Sequence, residues 1–171
     1  VMTKDNIGLA ALLEIKQDDM VGPDSLSSSS NKIKEKQLIL ISTAHIHWDP
    51  EYCDVKLIQT LMLTNEIKLI IEQVTREFKL SASQSSNGNN VDCSTTIPVV
   101  LCADLNSLPD SGVIEYLRTG RILANHVDFK DLGYETCLQR INTSDKPSEL
   151  THNLKLDCAY EKDLMPYTNY T

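Results

Sequence analysis

Residues 99–112 read VVLCADLNSLPDSG, an apolar run that stops at a carboxylate and an amide two positions apart, Asp104 and Asn106. The β-branched and aliphatic side chains before them predict a buried strand over residues 97–103, with Pro98 at its entrance, where a missing N–H does least harm. From local pattern alone, Asp104 and Asn106 can form a turn, cap the next helix, or face a ligand at a strand end, where open α/β sheets bind. Beyond them, Asp110 or Ser111 can cap a short helix, SGVIEYLRTG, that Gly120 ends.

Reading backward, QLILISTAHI at residues 37–46 is a second short apolar run with β-branched residues and predicts a central strand. Pro50 then fixes its own φ and keeps Asp49 out of the helical region. A helix is expected over residues 51–78. Its second half sets Ile67, Ile70, Ile71, Val74 and Phe78 at three-to-four spacing, with Glu66, Lys68, Glu72 and Arg76 largely outside that stripe. Residues 7–15 are aliphatic with little alternation, as expected of a strand covered on both faces. Strand, helix and strand in succession favour a β-α-β unit with helices packed on a sheet, so the class is α/β (α+β). Two segments of low complexity, about 17–36 and 81–96, are expected to be surface loops. After residue 120 the sequence reads as short helices and loops.

Composition narrows the function. The 171 residues, 41% of them hydrophobic, suffice for one globular core, and no segment is apolar for the length of a membrane helix. With 24 acidic against 16 basic residues, the net charge of -8 argues against non-specific binding to a long phosphate backbone. It leaves room for an enzyme that grips a few nucleotides through a metal ion. Five scattered cysteines, Cys53, Cys93, Cys102, Cys137 and Cys158, contain no CxxC pair, which fits neither a disulfide framework nor a zinc site and points to a reducing compartment. The first residues run almost at once into a strand pattern and PYTNYT closes the chain without linker or cap, so a fragment of a longer domain is expected.

The second strand also ends in polar chemistry, TAHIHWDP, with His45 and His47 on one side of the alternation. Zinc would need a third or fourth ligand, and none sits at a recognisable spacing. His47 is therefore read as structural.

Taken together, a strand ending in T-x-H, a helix, and a strand ending in D-x-N-S resemble the endonuclease/exonuclease/phosphatase superfamily of metal-dependent phosphoesterases. VMTKDNIGLAALLE, HIHWDPEYCDVKLIQTLML, CADLNSLPDSGVIEYL and PYTNYT look like successive segments of its carbon catabolite repressor-type deadenylases. The resemblance covers nearly the whole chain outside the two low-complexity segments. It implies a DNase I-like two-sheet sandwich flanked by helices, incomplete here at both ends. It also implies a Mg2+-dependent 3'-to-5' exoribonuclease that shortens mRNA poly(A) tails and releases AMP. Asp104 would orient or deprotonate the attacking water and contact a second metal, Asn106 would hold a phosphate oxygen or that metal, and His45 would stabilise charge on the scissile phosphate. Pro50 would lie against an adenine face and Asn169 at the base edge.

The superfamily's principal metal ligand, a glutamate on an early strand, and its closing S-D-H motif are not among these residues. Glu14 lies on a strand in the wrong segment, and His152 and Asp157 lack the S-D-H context. The chain alone is accordingly expected to have little or no nuclease activity. The resemblance further implies that the parent protein docks to subunits of the Not deadenylation complex through a leucine-rich repeat region that is not among these residues, and a cytoplasmic and nuclear location. Two alternatives stay open: a related phosphodiesterase acting on another nucleotide, and a non-catalytic module that retains the fold.

Overall fold

The computed structural model describes residues 5–16, 37–85, 97–130, 133–141, 146 and 148–160. The fold is mixed α/β, with two small sheets and helices. β1 (Gly8–Glu14), β2 (Leu38–His45) and β3 (Val99–Asp104) form a sheet in the order β1-β2-β3. β1 runs antiparallel to β2, and β3 runs parallel to it. The parallel pair is joined through α1 (Cys53–Ser85), which is the β-α-β unit expected from the two apolar runs and the helical stripe between them. β2 alternates between buried and more open positions and is central.

The stripe on α1 packs as its spacing predicts. Ile67 is buried with Leu38, Leu40 and Ile97, and Ile70, Ile71, Val74 and Phe78 pack against that cluster. α1 runs further than expected, through residues 81–85, whose low complexity predicts a loop. No Gly or Pro interrupts Cys53–Ser85, and each added residue contributes one more backbone hydrogen bond once a helix is nucleated. The remainder of that loop, 86–96, and the whole of 17–36 lie outside the described residues.

β1 departs from expectation more sharply. Instead of being covered on both faces it is an edge strand, with Leu9 66% and Leu13 47% exposed. Its inward-facing Ala10 packs against the cluster under α1. An aliphatic run records a capacity for burial; the neighbours decide whether it is used.

α2 (Gly112–Thr119) is bounded as the sequence suggests. Of the two candidate caps, Ser111 takes the role, its Oγ accepting from Ile114 N. Gly120 closes the helix in the left-handed region (φ 74), its N–H bonded to Tyr116 O. Val113, Tyr116 and Leu117 of α2 join Leu57, Ile58 and Leu61 of α1 in a second core cluster. A pair not anticipated from sequence, β4 (Arg121–Leu123) and β5 (Glu149–Thr151), adds Ile122 and Leu150 to that core. The short 3-10 turn Val127–Phe129 and α3 (Glu135–Ile141) complete it with Phe129 and Leu138.

Candidate active site at two parallel strand ends

β2 and β3 end together. Their register pairs His45 with Asp104, and Ile46 N donates to Asp104 O at 2.9 Å just beyond the last pair. Both side chains are exposed at the carboxyl edge of the sheet, the position at which open α/β sheets present ligand-binding groups. The turn and the site are one object here: Asp104 Oδ1 accepts from Asn106 N at 3.0 Å, and Asn106 sits at φ 44. Asparagine is among the few L-residues that adopt this conformation at modest cost.

Asn106 is tied from two further directions. Its Nδ2 donates to Ile46 O at 2.9 Å, linking the loop to the neighbouring strand end, and its own carbonyl accepts from Lys56 Nζ at 2.7 Å. Lys56 is buried near the start of α1, and burial pushes its pKa down, against the pull of Cys53 and Asp49. On the other side of His45, its carbonyl accepts from Asn6 Nδ2 at 2.8 Å. Asn6 Oδ1 accepts from Gln59 Nε2 at 3.0 Å, and Gln59 Oε1 accepts from His47 N at 2.9 Å. Two residues of α1 three positions apart, Lys56 and Gln59, therefore brace the two strand ends. Sequence reading missed both, along with Asn6. The only available signal was a lysine set among Val55, Leu57 and Ile58 in the first turns of α1, where the helix dipole disfavours a cation.

His45 and His47 do not stay together as strand alternation predicts. β2 stops at His45, so His47 leaves the ladder and turns inward, buried, with its ring edge-on to Tyr52 at 5.4 Å. Its Nε2 has no hydrogen-bond partner among the described residues. No group of three or more His, Cys, Asp or Glu side chains able to hold a metal occurs among the described residues.

Pro50 lies exposed in the turn that leads to α1, where Tyr52 N donates to Asp49 O and Glu51 N to Asp49 Oδ1. Asn169 falls outside the described residues. Glu14 pairs with Leu38, at the far end of β2 from His45, so it is remote from this edge. His152 packs its ring edge-on against Tyr116 at 4.7 Å and serves the second core. Cys53, Cys102, Cys137 and Cys158 are free thiols, as their spacing suggests.

Behind the site, the start of α1 is anchored to the elements around α2. Tyr134 donates its hydroxyl to the buried Asp54 carboxylate, and burial together with that carboxylate raises the phenol pKa well above its ordinary value. Asp128 Oδ2 accepts from Gly112 N at 2.7 Å, and Lys130 Nζ donates to Glu51 O.

The donors left on Asp104 and Asn106 are oxygens. No hydrogen bond among the described residues engages Asp104 Oδ2 or Asn106 Oδ1. Two hard oxygen donors fit one side of a magnesium shell, which ordinarily keeps waters and substrate oxygens, better than they fit a softer metal.

No family model matches the chain. It is similar along its whole length to curated proteins, however. The CCR4-NOT transcription complex subunit 6-like of Danio rerio is 49% identical over 175 residues, covering 100% of the chain and 29% of that protein. The subunit 6-like-B of Xenopus laevis is 48% identical, with 30% of its length covered. The CCR4-Not complex 3'-5'-exoribonuclease subunit Ccr4 of Schizosaccharomyces pombe is 34% identical over 180 residues, 22% of its length. The chain thus spans less than a third of the relatives it matches.

Proposed function

The chain is homologous to one part of the CCR4-NOT subunit 6-like and Ccr4 proteins, and on that premise we propose that it supplies catalytic strand ends to a Mg2+-dependent 3'-to-5' exoribonuclease acting on poly(A) tails. The observation that carries the reading is the pairing of His45 with Asp104 at adjacent parallel strand ends, with Asn106 pinned beside them. A phosphodiester anion repels attacking water, so hydrolysis needs charge shielding, an oriented nucleophile and help for the leaving oxygen. Magnesium, when bound, would shield the phosphate charge, with Asp104 and Asn106 holding it on this side. Asp104 would orient or deprotonate the water. His45 would face the negative charge that develops on the phosphate.

Base selection falls to Pro50 and Asn169. A rigid exposed ring can cover an adenine face, and an amide offers the donor and acceptor that the adenine edge requires. Release of AMP, membership of the CCR4-NOT complex and a cytoplasmic and nuclear location belong to the same reading. The test is trimming of oligo(A) against oligo(U) by the intact protein, with and without Mg2+, beside Asp104→Ala. Metal-dependent loss of oligo(A), abolished in the variant, is expected; a fully active Asp104→Ala overturns it.

A further inference from the structure

Lys56 is only 7% exposed, one turn into α1, on a stretch whose neighbours Val55, Leu57 and Ile58 are almost wholly buried. Asp49, in the turn before the helix, attracts its ammonium but forms no ion pair with it. Removing an ammonium from water is costly, and the N-terminal end of a helix repels a cation. Its backbone is already spoken for: Lys56 N donates to Tyr52 O, and Lys56 O accepts from Thr60 Oγ1. Its side chain has one hydrogen-bond acceptor among the described residues, the carbonyl of Asn106 at 2.7 Å.

That carbonyl belongs to the residue at φ 44, in the left-handed region that a non-glycine residue does not hold without restraint. Asn106 is restrained from three sides: N to Asp104 Oδ1, Nδ2 to Ile46 O, and O to Lys56 Nζ. Of the three, only the lysine bond is charge-assisted on the donor side and comes from a rigid element outside the sheet. We propose that Lys56 is the positioning residue of the site, acting through the Asn106 carbonyl to hold the strand-end turn in which Asp104 and Asn106 keep an oxygen each unengaged. This rests on the reading of the site as a phosphoesterase edge. Leucine or methionine would pack in the same space but would leave the half-buried carbonyl without this donor.

The test compares Lys56→Met and Lys56→Arg in the intact protein, with thermal unfolding, kcat and KM for oligo(A) measured on each. Lys56→Met is expected to lower kcat by roughly 10- to 100-fold while KM moves by less than about 3-fold, the signature of a displaced reacting group. Lys56→Arg, which keeps the cation and a donor, recovers most of that loss. A Met variant with kcat within about 2-fold of the unsubstituted protein, or an Arg variant as impaired as Met, overturns the proposal. Should Lys56→Met fail to fold, Lys56→Gln replaces it under the same criteria. Asp104→Ala separates the two levels: if it is active, the phosphoesterase reading fails, and if it is inactive while Lys56→Met is not, only the role of Lys56 fails.

Discussion

His45 and Asp104 are register partners at the last rung of the parallel ladder between β2 and β3, with the backbone of Ile46 bonded to Asp104 O immediately beyond. On the proposed function, two side chains so placed act on one substrate group. In the intact protein, His45→Ala and Asp104→Ala are expected to be strongly non-additive: the double variant loses little more kcat than the worse single one. Losses that multiply independently would show that the two residues serve separate steps.

The isolated 171-residue chain is expected to trim oligo(A) weakly or not at all, even with Mg2+. On the proposed function Asp104 and Asn106 would supply only one side of a metal shell, and no cluster of three acidic, histidine or cysteine ligands occurs among the described residues. Robust trimming by the purified chain would refute this.

Asn106 allows backbone and side-chain effects to be separated. Asn106→Gly tolerates φ 44 but loses the bond to Ile46 O, whereas Asn106→Ala loses the bond and pays the left-handed penalty as well. Urea unfolding should find Ala the less stable of the two by about 1 kcal/mol. Equal midpoints would mean that the turn relaxes once the amide is gone.

Gly120→Ala is expected to destabilise the chain by about 1–3 kcal/mol. The residue sits at φ 74, and a Cβ there would lie 2.9 Å from the backbone oxygen of His152. That oxygen cannot move cheaply, because His152 N is bonded to Gly120 O at 2.8 Å. A midpoint unchanged within error would show that this corner yields.

The pH dependence of stability should carry the mark of His152. Burial lowers its pKa below the ordinary 6.5, in opposition to its bond with the Tyr116 carbonyl. Nε2 faces Tyr116 O while Nδ1 accepts from Leu154 N, so the neutral ring fits and a second proton does not. The unfolded chain then binds more protons than the folded one below about 6.5, and stability rises with pH through that window. It is complete above the unfolded pKa and is lost as pH falls toward the folded one. His152→Gln should flatten the urea midpoint below about pH 6.5 relative to the unsubstituted chain. An unchanged slope would assign the acid sensitivity to other groups.

Much of this architecture was legible in the sequence, for local reasons. The β-branched runs ending at His45 and Asp104, the stripe from Ile67 to Phe78, and the caps Ser111 and Gly120 each depend on neighbours within a few residues. Periodicity and turn chemistry report such preferences directly. Elements of three residues do not: β4 and β5 are too short to show a period, and they exist because Ile122 and Leu150 find one core.

By itself, then, the sequence determined a strand, a long helix and a strand, and the pair Asp104 and Asn106 at the point where the second strand stops. Tertiary structure alone decided that β1 is an exposed edge and that His47 turns inward while His45 stays out. It also decided that Lys56 and Asn6 hold the two strand ends. Those outcomes depend on hydrogen bonds and burial between residues about 40 to 50 positions apart, as in Asn6 with His45 and Lys56 with Asn106. No local pattern encodes them, because Asn6 meets His45 only once β1 has paired with β2, and Lys56 meets Asn106 only once the parallel crossover has closed.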